Sequence, residues 1–192
     1  MRFKSSAQRK AVMRQYNPKK HSRKRFMRTV FDTETTGFSN KDRLIEFASV
    51  SVDSKGDMYA YRTLIQPPVP ISRYATAVHG YVNDDLSNAP VMAKVEPDIC
   101  QIISSSDEMI AHNANYDVRM LKNEGVYVPP EKVRDTMRMA KDYKPLTDSY
   151  PQSRYNLDEM CKGLGVRVPS SERHSGMGDV IGTLKCYNIM NS

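Results

Sequence analysis

The sequence predicts an α/β domain built on a mixed five-stranded sheet, three antiparallel strands followed by two parallel ones, flanked by helices. Three observations carry this. Strand-like segments at residues 28–34, 44–53 and 58–66 follow one another through links too short for a parallel crossover, which makes an antiparallel meander. Beyond them helical and strand patterns alternate, as a helix-covered parallel sheet requires. The 192 residues, 39% hydrophobic and 27% charged, suit one domain with a real core and show no internal repeat.

Residues 28–34 (RTVFDTE) read as a short buried strand, and 44–53 (LIEFASVSVD) alternate apolar and polar as a half-buried strand does. Lys55-Gly56-Asp57 supplies a turn into 58–66 (MYAYRTLIQ), and Pro67, Pro68 and Pro70 end the meander. Helices are expected at 71–79 and at 91–104, the second just after Pro90. A short strand at 108–112 leads into a helix at 114–124 closed by Gly125. Residues 132–136 give the last strand, running into a helix through Ala140. Residues 142–156, with Pro145 and Pro151, read as a loop, and helices at 156–164 and about 177–190 finish the chain.

Charge divides the chain differently. The first 28 residues hold 11 Lys and Arg and no acid, so the remainder carries 18 basic against 22 acidic residues and is mildly acidic. We therefore expect a basic, flexible arm at 1–27 and a folded domain at 28–192. Such an arm points to phosphates or an acidic partner. An organelle transit peptide and a solvated arm without a partner are the other uses of this composition. No apolar run approaches the ~20 residues of a membrane helix, and there is no secretory h-region. Cys100, Cys161 and Cys186 are too few and too scattered for a disulfide framework or a zinc ribbon. They fit a reducing, cytoplasmic setting, with buried thiols acting as small hydrophobes.

The chemistry is concentrated in three segments. In Val30-Phe31-Asp32-Thr33-Glu34-Thr35-Thr36-Gly37, residues two apart on a strand share a face, so Asp32 and Glu34 project side by side at the strand end. Adjacent carboxylates repel unless a cation sits between them, and hard oxygen ligands suit Mg²⁺ or Mn²⁺. A solvated acidic strand end is the bland reading; the apolar lead-in and the Thr35-Thr36-Gly37 turn, whose backbone can approach a ligand, count against it. In Ile110-Ala111-His112-Asn113-Ala114-Asn115-Tyr116-Asp117 a strand gives way to a helix with Asp117 in its first turn, where an acid also favours the helix dipole. His174-Ser175-Gly176-Met177-Gly178-Asp179 places a histidine five residues before an acid.

Together these segments resemble the DEDDh exonucleases, the family of the proofreading epsilon subunit of bacterial DNA polymerase III, over roughly residues 28–190. The first matches the motif D-x-E-T-T-G. The second matches A-H-N-A-x-F-D with Tyr116 where Phe is usual, and the third matches H-x-A-x-x-D with Gly176 in place of Ala. His79-Gly80, Asp135-Thr136 and Asn156-Leu157-Asp158 fall where the family has its intervening landmarks. Three ordered motifs at suitable spacing do not arise readily by chance.

The resemblance implies an RNase H-like fold and a 3′→5′ exonuclease. Asp32, Glu34, Asp117 and Asp179 would hold two divalent ions, Mg²⁺ or Mn²⁺, and His174 would be the general base. Thr35, Thr36 and Gly37 would lie against the terminal nucleotide, with His79 and Asn113 near the same pocket. A structural role, closing a helix end, is an equal reading of His79, and the better one for His112. Gly176 and Gly178 would either make the loop mobile, so that His174 swings in on binding, or satisfy a tight turn. Tyr143, Tyr150 and Tyr155, with Lys144 and Arg154, could grip single-stranded bases, although loop tyrosines more often pack on their own domain. The expected partner is nucleic acid, single-stranded 3′ ends with DNA favoured over RNA, and a DNA polymerase or replication partner is open. Exoribonuclease and silent binding module are the rival readings; the complete set of acids argues against the latter.

Overall fold

A computed structural model describes residues 13–168 and 175–192. Its sheet has six strands in the order β1-β4-β3-β2-β5-β6. The strands are β1 (Met13–Gln15), β2 (Phe26–Thr35), β3 (Leu44–Val52), β4 (Met58–Leu64), β5 (Ser106–Ala111) and β6 (Val133–Asp135). The meander β2-β3-β4 is antiparallel, whereas β5 runs parallel to β2 and β6 parallel to β5, as expected. The helices are α1 (Arg73–His79), α2 (Met92–Ser105), α3 (Ala114–Asn123), α4 (Thr136–Asp142), α5 (Lys144–Ser149), α6 (Leu157–Gly163) and α7 (Gly176–Met190). Among the described residues no helix is long and apolar enough to cross a membrane.

Two expectations need correction. The sheet gains a strand, β1, which pairs parallel with β4 through Met13↔Met58. Residues 13–27, assigned from composition to a flexible arm, instead lie on the domain. Tyr16 is 3% exposed and donates its backbone N–H to the Ala60 carbonyl at 2.6 Å. Its ring stacks on His21 and meets Phe26 and Tyr61 edge-on. Arg14 and Lys24 reach Asp57 and Asp53 at 2.7 and 2.6 Å. The signal was missed because the strand is three residues long, exposed throughout, and paired with residues far along the chain. The second correction is α5, which occupies part of the expected 142–156 loop and takes Pro145 in its first turn, where a missing N–H costs nothing.

Local chemistry sets the helix ends. Ser72, Asp135, Asn156 and Ser175 each accept a backbone N–H from the first turn of the helix they precede. The core lies on both faces of the sheet. Phe31, Phe47, Ile99, Ile102, Met120 and Leu121 belong to the cluster beneath α2 and α3. Val30, Ala48 and Val50 pack on Val180, Leu184 and Tyr187 of α7. Asp32 shares its face with Val30, so both carboxylates of β2 look toward α7.

Candidate active site

The acids gather where β2 ends. Oxygens of Asp32, Glu34 and Asp179 all lie within 4.8 Å of one another, and all three residues are half-buried. The β2–β3 register shifts between Glu34 and Thr35, a bulge that turns the strand end out of regular pairing. Asp179 arrives from α7, whose first turn is fixed by the Ser175 hydroxyl accepting the Gly178 N–H at 3.2 Å. Asp117 comes from α3, 3% exposed, with Oδ1 accepting the Thr33 backbone N–H at 3.0 Å and the Thr33 hydroxyl at 2.7 Å. Asn113 makes the entry to α3 possible with a left-handed backbone (φ 64), a conformation Asn tolerates better than most residues. Its N–H is held by Asp135 Oδ1 at 3.1 Å.

Crowding leaves its mark on proton affinity. Asp32 is pushed well above the usual carboxylate range, first by burial and then by the charges of Asp117, Glu34 and Asp179. Burial, with Glu46, Asp179 and Asp117, raises Glu34 to about 8. Asp117 rises to about 7 through burial, opposed by its hydrogen bonds from Thr33. Asp32, Glu34 and Asp179 so placed offer hard oxygen donors with excess negative charge, Asp117 adding its charge beside them, a set that suits a divalent ion.

The Thr35-Thr36-Gly37 turn is held from inside. Thr35 Oγ1, Tyr116 Oη and the Gly37 carbonyl oxygen form a triangle with sides of 2.6, 2.7 and 3.0 Å. The hydroxyl that distinguishes Tyr116 from the usual Phe thus ties α3 to the turn. Thr36 is fully buried and donates its hydroxyl to Asp42 at 2.9 Å. Gly37 has no room for a side chain, because a Cβ there would sit 2.7 Å from Asp42 Oδ1. Burial alone would raise Asp42, but donors from Ser39 and Thr36 outweigh it and keep its carboxyl low. What the turn can offer a ligand is therefore mainly backbone.

His79 ends α1 before Gly80, which takes the left-handed cap (φ 82). Its Nδ1 accepts the Tyr81 N–H at 3.1 Å, so the proton sits on Nε2, 3.2 Å from the Thr35 carbonyl. Burial lowers its pKa, in keeping with a neutral ring. Both nitrogens are used inside the protein, so His79 braces the turn. Tyr81 continues the chain of contacts to Glu46, donating its hydroxyl to Oε2 at 2.5 Å. Arg62 holds the same carboxylate through Nε at 2.8 Å and NH2 at 3.2 Å. Glu46 is 0% exposed and lies directly across the ladder from Glu34. This fifth acid was not singled out from sequence, although a Glu inside the apolar run Leu44-Ile45-Glu46-Phe47 was its visible signal.

Other expectations divide. His174 lies outside the described residues. Gly176 and Gly178 are buried in the first turn of α7, which favours the tight-turn reading for them. Tyr155 is 1% exposed and bonds the Tyr150 carbonyl at 2.8 Å, while Tyr150 donates to Glu159 at 2.6 Å. With Tyr143 they pack around Leu146 and Met160, away from any base-gripping role. His112 is structural: burial lowers it to about 4 and Nδ1 meets the Thr136 hydroxyl at 3.0 Å. Cys161 and Cys186 are buried with sulfurs 3.6 Å apart, but Cys100 is exposed.

Comparison with known proteins agrees with this geometry. A family model described as Exonuclease matches residues 29–187. The DNA polymerase III subunit epsilon of Treponema pallidum (strain Nichols) is 32% identical over 150 residues, covering 76% of this chain and 68% of that protein. A PolC-type DNA polymerase III of Caldanaerobacter subterraneus subsp. tengcongensis is 29% identical over 82% of this chain, which spans only 11% of that protein. The structure of exonuclease X in complex with 5′ overhanging duplex DNA superposes with a TM-score of 0.63 at 26% identity, covering 86% of this chain and 92% of that one. E. coli exonuclease I with a dT13 oligonucleotide gives 0.73 at 16% identity over 86% of this chain and 41% of that one, a likeness of fold. The fold is RNase H-like, as expected.

Proposed function

Because the chain belongs to the exonuclease family, among its DEDDh-type 3′→5′ members, we propose that it removes nucleotides one at a time from single-stranded DNA 3′ ends. The observation that carries this is the convergence of Asp32, Glu34 and Asp179 within 4.8 Å, beside Asp117. We assign to these four acids a pair of divalent ions, Mg²⁺ or Mn²⁺. Such ions, when bound, lower the pKa of an attacking water and stabilise a leaving 3′ oxygen. The protein's own part is positional. Thr33 holds the Asp117 carboxylate, Thr35 and Gly37 present backbone to the terminal sugar, and Asn113 lines the same side. His174 is the proposed general base, because an imidazole in water has a pKa of ~6.5, which suits proton removal at neutral pH.

DNA is favoured over RNA by the relatives, a DNA polymerase III subunit epsilon and a PolC-type DNA polymerase III, and by exonuclease X, whose structure is of a complex with 5′ overhanging duplex DNA. The same likeness supports work beside a DNA polymerase; the cytoplasm is proposed from the few, scattered cysteines alone. Residues 1–12, with Arg2, Lys4, Arg9 and Lys10, are proposed to add phosphate contacts, so their removal flattens the salt dependence of DNA binding.

The decisive experiment uses matched DNA and RNA oligonucleotides labelled at the 5′ end, with Mg²⁺, Mn²⁺ or chelator. Stepwise shortening of DNA that stops with chelator is expected. Preferential shortening of RNA would transfer the reading to an exoribonuclease. Binding without cleavage under both metals would leave only a binding module.

A further inference from the structure

We propose that Glu46 is a positioning residue for the acidic centre: anchored by Arg62 and Tyr81, its carboxylate forms the seat on which the first turn of α7 rests. That seat sets Asp179 against Asp32 and Glu34. The inference rests on the metal-holding role proposed above and concerns how the protein builds it.

The geometry excludes simpler roles for this acid. Glu46 is not among the three residues whose oxygens converge within 4.8 Å. Both of its oxygens are occupied, Oε1 by Arg62 Nε and Oε2 by Arg62 NH2 and the Tyr81 hydroxyl. Nor is it an ordinary surface ion pair: the Glu46 side chain is 0% exposed and the Arg62 side chain 44%. The acid is thus the buried member, and it is held by Arg62 and Tyr81 beside the other acids of the site.

What the carboxylate touches gives it a task. A Cβ built on Gly176 would lie 2.7 Å from Glu46 Oε1 and 3.1 Å from the Ala48 Cβ. Gly176 is the first residue of α7, and Asp179 follows three residues later in the same first turn, with its N–H on the Ser175 carbonyl at 3.0 Å. The helix therefore approaches the sheet as closely as glycine permits, and the surface it meets is the Glu46 carboxylate. A negative group there also faces the positive end of the helix dipole. Lifting this turn by several tenths of an ångström moves Asp179 by a similar amount, and Mg²⁺ tolerates little departure from octahedral geometry. The departure of Gly176 from the family's usual Ala acquires a physical reason on this account.

A double-mutant cycle tests the contact, read out by Mn²⁺ affinity and by the melting temperature in chelator as well as by cleavage. Gly176→Ala is expected to weaken Mn²⁺ binding about tenfold or more, within the range seen for coupled neighbours. In a Glu46→Ala background, where the seat is gone, the same change should cost about twofold or less. Tyr81→Phe supplies a second measurement should Gly176→Ala fail to fold: it removes one anchor, whose hydroxyl bonds Glu46 and Arg62, and should weaken Mn²⁺ binding roughly threefold with little change in chelator. Equal costs for Gly176→Ala in both backgrounds, or unaltered affinity in a folded Tyr81→Phe protein, overturn the proposal. Wild-type protein that binds no Mn²⁺ overturns the metal reading and this one together.

Discussion

The two ends of the sheet hold the same kind of side chain under opposite electrical conditions. Where β2 ends, Asp32, Glu34 and Asp117 crowd together with no cation on them among the described residues, and their proton affinities rise. At the other end of β3, Asp53 and Asp57 are 4% and 6% exposed, yet each has a cation on it. Burial alone would raise Asp53, but Lys24 and the N–H groups of Lys55 and Asp57 outweigh it and hold the carboxyl low. One end has its counter-charges in place, and at the other the described residues put the acids against one another. The lesson is that burial of an acid says little by itself; whether the chain supplies the counter-charge separates a structural carboxylate from one reserved for an ion.

That contrast can be broken most sharply at Asp32. Asp32→Asn should reduce cleavage at least about a thousandfold, roughly 4 kcal/mol of barrier. In chelator at pH 8 its melting temperature should equal or exceed that of the wild type, since a repelling charge is gone. Single-turnover cleavage and calorimetry check the pair, and activity within tenfold of wild type would refute the assignment.

At the opposite end the effect should fall on folding. Deleting residues 1–25 strips β1, Tyr16 and the cations Arg14 and Lys24, and uncovers Phe26, Tyr59 and the edge of β4. Loss of the folded state, or a melting temperature lower by roughly 10 °C or more, is expected. An unchanged thermal melt would mean that this packing contributes nothing.

Asp53→Asn is a smaller version of the same perturbation. About 2 kcal/mol should be lost at pH 7, by urea titration. Because the folded-state pKa of Asp53 is depressed, its contribution is present above the unfolded value near ~4 and disappears as pH falls through the folded one. The two proteins should therefore converge in acid.

The finest distinction is a reversal of sign. Glu34 and Asp117 are raised to about 8 and about 7, so the folded, metal-free protein binds more protons than the unfolded chain. Their contribution is fully present below the unfolded values near ~4 and is lost as pH rises toward 8. In chelator, stability should decline over that window, less steeply in Asp117→Asn, and Mg²⁺ should restore it increasingly as pH rises. A wild-type slope identical to that of Asp117→Asn would show that Asp117 does not titrate with folding.

Much of this could be read before any coordinates. The meander, the alternation after it and the three acidic segments depend on local patterns: period-two hydrophobicity, caps such as Ser72 and Asn156, and short motifs whose spacing is written along the chain. The positions of Asp32, Glu34, Asp117 and Asp179 followed from them. The reasons for Gly37, Tyr116 and Gly176 did not. Tyr116 and Gly176 are defined by partners on other elements, the Thr35-Thr36-Gly37 turn and Glu46, and Gly37 by how its own loop folds back to bring the Asp42 carboxylate against it.

The same holds for residues 13–27. Their composition reads as a solvated arm, and composition cannot report that Tyr16 meets Tyr61 or that Lys24 meets Asp53. The sequence by itself determined which acids are the candidates and which strand or helix each stands on, because periodicity and motif spacing are local properties. Only the tertiary structure decided which buried acids, among the described residues, have a cation on them, because that depends on distances across the sheet that no local pattern encodes.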